Sequence, residues 1–514
     1  MSSTERPKYE IVEDDWFASH SIIALRNLLN WQMTSVLIAG KGPTLALIDQ
    51  NLDPSEPVIS LNHACELVPS SIAHFTDLQA LLDCEKVVLD SEFFVVVPAF
   101  PHISGAPTKL NVLDLAKVHS VISDLIFQDR LFVYAGSNSP NLWKLPDFEL
   151  RYFSVEPAYQ LACLLGAQQV KTIGIDGGSS YATSISTHGK RRLLNNGQQS
   201  FDKQFLQLEK LQLRHGIPIK PKIKPNTVYI GVSRADLLPY LVLKHSIEHN
   251  SNSPVLVKPL PKVRRNPRRR KNRGRTAFSF SRFLIPELQN YQGRAVYLDS
   301  DMLVMGDITE LFDYPFGENH LVVTSQSLPP QAWADSENFV SGPQFSVMVV
   351  ECSKAKWSVD QIIDLLDSNA MSYSDVLHKM LIVPPEKIDS SLDPKWNSLE
   401  YYDPKETKLL HFTVVPTQPW RTRNNANYHV WLAYLKSAIK AGVITSNTIR
   451  REIRIGSCGP HLLRDLSPKF FLDHLASNEQ SLHELEAIVG KKLLLIRIRA
   501  TARNTLWRLK HSRV

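Results

Sequence analysis

Arg294-Ala-Val-Tyr-Leu-Asp-Ser-Asp-Met-Leu-Val-Met-Gly-Asp-Ile-Thr-Glu-Leu-Phe312 is the stretch on which the reading of this chain turns. Ala295 to Leu298 is a short apolar run of the kind that forms a buried strand. It stops at Asp299-Ser300-Asp301. Two carboxylates at the end of a core strand are costly unless a cation or hydrogen-bond donors satisfy them. Strand alternation points both to one side, where a divalent ion with hard oxygen ligands would bridge them to a diphosphate. Asp307-Ile-Thr-Glu310 then reads as a capping box opening a helix with Leu311 and Phe312 on its inner face. A calcium loop is the alternative for the same residues. It fails because Leu303 and Val304 stand where an oxygen ligand and a glycine are required.

Phe280-Ser-Arg-Phe-Leu-Ile-Pro-Glu-Leu288 followed by Tyr297-Leu-Asp-Ser-Asp-Met-Leu303 resembles the retaining glycosyltransferases of family 8 over roughly residues 226 to 430. The resemblance implies a GT-A fold in which Asp299, Ser300 and Asp301 meet manganese (or magnesium) and the diphosphate of a UDP-sugar. It implies that Val228-Tyr-Ile-Gly-Val232 is the first strand, with Ile230, Gly231 and Val232 near the nucleoside and Asp236 beyond them. Arg282 matches the arginine of the helix before the Asp-x-Asp strand. Asp375, in Tyr373-Ser-Asp375, sits where the family places its acid near the anomeric carbon. His411, followed by Pro416-Thr-Gln-Pro-Trp420, matches the third metal ligand. Several positions depart from the pattern. Gln344 and Ser346 replace the Asn-x-Gly that meets the sugar. Gln418 replaces the phosphate-binding lysine, whose charge Arg421 or Arg423 would have to supply. Lys395-Trp-Asn397 matches a turn read as structural.

Composition bounds the alternatives. With 514 residues, 43% hydrophobic and 21% charged, the chain reads as a globular protein of two or three domains. No apolar run approaches the roughly 18 residues that span a bilayer, and an acidic start lacking an apolar stretch gives no secretory signal. Cysteines 65, 84, 163, 352 and 458 are scattered and odd in number, which suits neither a disulfide framework nor a zinc ribbon. A cytoplasmic protein is expected, peripheral to the inner membrane face.

The net charge of +7 hides an asymmetry. Residues 262–275 hold nine Lys or Arg and residues 491–514 hold eight, with no acid in either; elsewhere 41 basic residues face 51 acidic ones. A general nucleic-acid surface is therefore not implied. The first segment reads as a mobile solvated loop or as a contact for phosphate or anionic lipid at the rim of the site. It has no interleaved aromatic for base stacking. The second reads as a basic helix, with Leu495, Ile498, Ala502, Leu506 and Leu509 on one face, that either packs or lies on an anionic membrane.

The first 220 residues carry a different pattern. Asp14 to Trp31 reads as one amphipathic helix. Val36-Leu-Ile-Ala39 runs into Gly40-Lys-Gly-Pro-Thr-Leu45: a strand, a tight turn, and a helix start whose free N–H groups would take an anion. Leu45 replaces the third glycine of a dinucleotide fingerprint, and Asn62-His63 stands where an acid would hold the ribose, so NAD is not expected. These motifs, with Ser60-Leu-Asn62 and Ile173-Gly-Ile-Asp-Gly-Gly-Ser-Ser-Tyr-Ala182, resemble family 42 sialyltransferases and motility accessory factor-like domains. The resemblance implies a Rossmann-like, doubly wound fold with Gly40, Gly42 and Asn62 at a nucleotide, and His188 as the candidate for the catalytic histidine. Lys41 stands where those enzymes carry Asn.

The expected architecture is α/β: a Rossmann-like domain (1–220), an extended basic linker from Pro218 to Pro225, a GT-A transferase domain (226–440) and a basic helical tail (441–514). The expected function is metal-dependent, retaining transfer of a sugar from a UDP-sugar to a hydroxyl of a glycan or lipid-linked acceptor. Asp299, Asp301 and His411 hold the metal, and Arg282 and Asp375 serve the reaction. The alternatives are a bifunctional protein with a CMP-sugar-type transferase in the first domain, and a non-catalytic nucleotide-sugar-binding scaffold.

Overall fold

A computed structural model describes residues 12–466, except 32–34, 51, 104–105, 138–139, 141–142, 179, 183–184, 186–197, 199, 318–319 and 327–342. His188 and the basic segment 491–514 lie outside the described residues. The chain divides into two compact units between Pro225 and Asn226.

The first unit is built on strands β1 (Ser35–Ala39), β2 (Val58–Leu61), β3 (Ile72–His74), β4 (Phe94–Pro98), the short hairpin β5 (His102–Ile103) and β6 (Ala106–Pro107), β7 (Leu131–Gly136), β8 (Asp147–Phe148), β9 (Gln169–Ile173) and β10 (Ile219–Pro221). Eight of them form one sheet in the order β10-β9-β1-β2-β3-β4-β7-β8, with every adjacent pair parallel. Near-continuous apolar strands suit such a sheet because both faces are covered. Val95 and Val97 enter one core cluster while Val96 enters the other. The strand order reverses beside β1, so the turns after β1 and β9 meet at the carboxyl edge, where doubly wound folds place their crevice.

Two expectations are corrected here. The helix read over 14–31 is two helices, Glu13–Ser19 and Ile22–Leu29. Ser21 breaks it: its side chain caps the second helix by accepting the Ala24 N–H, and its backbone bridges to Val133. The segment read as a linker is an edge strand. Ile219 to Pro221 pair with β9, and Lys222 ties back through its N–H to the Thr172 carbonyl at 2.7 Å. Proline is tolerated there because an edge strand need not donate outward.

The second unit contains β11 (Asn226–Gly231), β12 (Val255–Pro259), β13 (Arg294–Asp299), β14 (Met302–Val304), β15 (Val322–Gln326), β16 (Pro343–Glu351), β17 (Ile388–Leu392), β18 (Ser398–Leu399) and β19 (Leu409–His411). Its main sheet runs β12-β11-β13-β16-β15-β17, with β14-β19-β18 beside it. β13 is interior, parallel to β11 and antiparallel to β16. Tyr297 faces one core and Val296 and Leu298 the other. Ile444, Ile449, Ile453, Leu462 and Leu466 share a cluster with Leu410, Phe412 and Trp431. Residues 441–466 thus pack into this unit and do not begin a separate tail.

The capping box at Asp307 is only half formed. Its carboxylate accepts the Thr309 N–H at 3.0 Å and hydroxyl at 2.7 Å, while Glu310 pairs with Lys408 instead of reaching back. The resulting helix is one turn, Thr309–Phe312.

Candidate functional site

β13 delivers Asp299 at its carboxyl end, opposite Gly231 of β11. The chain then enters β14, whose Met302 pairs with His411 of β19. That register brings the histidine beside the carboxylates: Phe412 N–H donates to the Asp301 carbonyl at 2.9 Å, and His411 Nε2 lies 3.3 Å from Asp301 Oδ1. Ligand atoms of Asp299, Asp301 and His411 all lie within 4.8 Å of one another. Burial pushes the Asp299 carboxyl above its usual range, and neighbouring Asp301 adds to this against the pull of Arg282. Burial would lower His411, but the Asp301 carboxylate beside it raises it overall. Two carboxylates crowded with an imidazole at a strand end form a donor set that fits a divalent ion with oxygen and nitrogen ligands.

The surrounding residues hold this set in place. His411 Nδ1 is 3.0 Å from the Asn397 amide oxygen. An amide oxygen only accepts, so the proton sits on Nδ1 and the Nε2 lone pair faces the carboxylates when the ring is neutral. Asn397 in turn donates to Ser346 Oγ at 3.3 Å. The turn read as structural therefore fixes the histidine tautomer. No local pattern marks this role, because the partners lie 14 residues apart.

Arg282 is half-buried beside the strand end. Its guanidinium stacks 4.5 Å from the Tyr297 ring centroid, donates to the Phe345 carbonyl at 2.9 Å and reaches Asp299 at 3.5 Å. Its Nε is buried with no hydrogen-bond partner among the described residues. The Tyr297 hydroxyl donates to Asp299. Gly231 is required here, since a Cβ would come within 2.5 Å of the Phe278 ring and 2.7 Å of the Tyr297 hydroxyl.

Gln418, 4% exposed, donates to Asp301 at 3.3 Å and to the Phe412 carbonyl at 2.9 Å, and its own oxygen accepts Arg421 Nε at 3.1 Å. Arg423 is committed to Asp465. Of the two candidates for the missing charge, only Arg421 is linked to the site.

Other expected residues stand elsewhere. Ser300 is buried. Val232 is half-buried. Ile230 is fully buried in the core with Val228 and Leu298, and its carbonyl accepts Leu260 N–H, so it supplies packing. Asp236 accepts the Ser233 N–H and hydroxyl and closes the turn after β11. Asp375, expected near the reacting carbon, caps the helix Tyr373–Leu377. It accepts from the Ser372 N–H and hydroxyl and from Lys379, and these bonds hold it down to about 2. Tyr373, not Asp375, meets the Arg282 segment, edge-on to Phe280 at 6.1 Å.

In the first unit, Gly40, Lys41, Gly42, Asn62, Thr76 and Asp176 line part of a cavity of about 420 Å³ at the carboxyl edge of the sheet. The expected anion-binding helix start is already filled. Asp176 accepts the Thr44 N–H at 2.7 Å and hydroxyl at 2.6 Å, and Gly42 N–H donates to the Gly174 carbonyl. A Cβ on Gly42 would lie 2.7 Å from Asp176 Oδ2. Its glycine serves that internal contact. Asn62 adopts φ 51°, and among the described residues its buried amide oxygen has no hydrogen-bond partner. Burial pulls the Lys41 ammonium below the usual lysine range despite Asp77 and Asp83 nearby.

With this geometry in hand, comparison with known proteins places the central segment. Residues 220–368 match the family model for glycosyl transferase family 8. A 95-residue stretch is 40% identical to Protein CDI of Arabidopsis thaliana, covering 18% of this chain and 37% of that protein. Another of 147 residues is 26% identical to glycosyltransferase GlyE of Streptococcus pneumoniae serotype 4, covering 27% of this chain and 33% of that one. The chain thus spans about a third of the length of these two curated relatives. A crystal structure of GlyE aligns with a TM-score of 0.32 at 18% identity, over 46% of this chain and 65% of that one. The family 8 match includes β13 and its acidic pair but ends before His411 and the Asn397 that orients it. Among the described residues no helix is long and apolar enough to cross a membrane.

Proposed function

We propose that the second unit is a glycosyltransferase that moves a sugar from a UDP-sugar to a hydroxyl of a glycan or lipid-linked acceptor, with retention, using Mn²⁺ or Mg²⁺. The observation that carries this reading is the convergence of Asp299, Asp301 and His411 at the end of β13, within a chain whose residues 220–368 match family 8. These three residues would hold the ion, which when bound neutralises charge on a departing diphosphate. Arg282 stands beside Asp299 with a buried N–H still unpaired, a donor suited to the same developing charge. Gly231 and Val232 would border the nucleoside, and Gln418 with Arg421 would replace the family's phosphate-binding lysine. A cytoplasmic setting accords with the five unpaired cysteines. The test is hydrolysis and transfer across a panel of UDP- and CMP-sugars, with and without Mn²⁺. Absence of metal-dependent turnover of every UDP-sugar would overturn the reading in favour of a binding scaffold.

A second reading concerns the first unit. Its cavity, with an orphaned Asn62 oxygen at the switch point of a parallel sheet, supports a separate nucleotide site and hence a bifunctional protein. Calorimetric titration of the full chain with CMP should then give heat that Asn62→Ala removes, while UDP binding is unchanged.

A further inference from the structure

The segment 262–275 is not the mobile solvated loop that its composition allows. It is fastened at several points to the carboxyl end of the helix Val359–Asp367. The Asp367 carboxylate accepts the Arg268 N–H at 2.7 Å and Arg265 at 3.2 Å, and its carbonyl accepts Arg269 Nε at 3.0 Å. Asn272, 2% exposed, donates to the Leu366 carbonyl at 2.7 Å and accepts the Tyr373 N–H at 3.3 Å. Pro267 is buried beside these contacts. The helix end and its two acids, Asp364 and Asp367, are well placed to hold cations. Among the described residues, Arg265 is their only salt-bridge partner.

The remaining charge is held outward. Lys262, Arg264, Arg268, Arg269, Arg270, Lys271, Arg273 and Arg275 are all exposed, and none of these eight has a carboxylate salt-bridge partner among the described residues. An ordered segment that keeps like charges exposed and close together carries a repulsion that only an external anion relieves. We propose that this platform is a docking surface for an anionic phospholipid bilayer.

The chemistry favours phosphate headgroups over nucleic acid. No aromatic residue lies between Lys262 and Thr276, so nothing stacks on bases. Of its two amides, Asn272 is turned inward. A headgroup surface offers many phosphates at once to a fixed array of cations. The platform also shares its supports with the candidate transfer site. Arg275 stacks 5.0 Å from the Tyr373 ring, whose hydroxyl is 3.4 Å from Ser279 Oγ, three residues before Arg282. Docking through this loop would present the end of β13 to acceptors at the bilayer. The docking itself does not depend on the transfer reaction.

The test is co-sedimentation of the full chain with phosphatidylcholine vesicles with and without phosphatidylglycerol. The wild type should bind only the anionic vesicles and lose them at high salt. Each cation near such a surface contributes roughly a fivefold factor, so Arg270→Gln, Lys271→Gln and Arg273→Gln together should weaken binding on the order of a hundredfold, with an unchanged melting curve. If that variant fails to fold, Lys262→Gln with Arg264→Gln tests the same surface, with a loss on the order of twentyfold. Wild-type binding by a folded loop variant, with loss instead in Arg497→Gln, Arg499→Gln, Arg503→Gln, overturns the proposal. So does failure of the wild type to bind anionic vesicles, or tighter binding to polyuridylate than to the vesicles at equal phosphate concentration.

Discussion

Asp301 is held from two sides, its carbonyl by the Phe412 N–H and one carboxylate oxygen by Gln418, while its other oxygen lies 3.3 Å from His411 Nε2. Such a residue is positioned by its neighbours, so changing its charge should spare the fold. Asp301→Asn is expected to abolish Mn²⁺-dependent turnover with little change in melting temperature; activity equal to wild type would remove the metal assignment. Asn397→Ala should act one step out. Losing the acceptor for Nδ1–H frees the imidazole tautomer, and changes to such outer partners typically cost 10–100-fold in metal affinity. Direct Mn²⁺ titration of the variant checks this, and an unchanged affinity would leave Asn397 a packing residue. The grouping of Asp299, Asp301 and His411 was legible in two ways: the carboxylates because such a pair at a strand end is unusual, the histidine only through the family resemblance carried by Pro416-Thr-Gln-Pro-Trp420 after it. Asn397 was not, since nothing local distinguishes it from any turn asparagine. Asp375 reads toward chemistry from its motif position, and the structure shows what that position also encodes: with Ser372 three residues before it, it forms a helix cap.

At the scale of elements, a turn is read correctly only when its partners lie nearby. Gly40-Lys-Gly-Pro43 does end a strand and open a helical turn, as its spacing predicts, though that turn is a 3-10 helix, Pro43–Gln50. What fills its N–H groups is Asp176, 132 residues further on. No local pattern encodes that pairing. Asp176→Ala would strand a buried N–H and a buried hydroxyl on Thr44, each left unsatisfied at about 1–3 kcal/mol. Denaturant unfolding should show the first unit destabilised by several kcal/mol; a loss below about 0.5 kcal/mol would mean that water or a ligand serves those donors. The same logic covers the helix broken at Ser21 and the linker that became β10, both decided by distant strands. By contrast β13 was legible almost residue by residue, because an interior strand covered on both faces is apolar throughout and announces its own length.

At the scale of the molecule, folding stability is linked to proton uptake at groups that burial keeps neutral. His74 in β3 is fully buried. One ring nitrogen sits 3.0 Å from the Tyr134 hydroxyl, and Nδ1 has no hydrogen-bond partner among the described residues. Burial depresses its titration to about 3, against about 6.5 in an unfolded chain. Below pH 6.5 the unfolded state binds a proton that the folded state refuses, so stability is whole above that pH and falls as pH drops toward 3. The slope approaches about 1.4 kcal/mol per pH unit, giving roughly 2 kcal/mol lost by pH 5. His74→Gln keeps a polar partner for Tyr134 but cannot titrate in this range. Protection of the β3 and β4 amides, followed by hydrogen exchange corrected for intrinsic rate, should therefore fall from pH 6.5 to 4.5 in the wild type and much less in the variant. Peptides from β13 and β16, in the other unit, serve as the internal reference. Equal pH slopes for β3 in the two proteins would show that His74 takes up its proton in the folded state and that its site admits water.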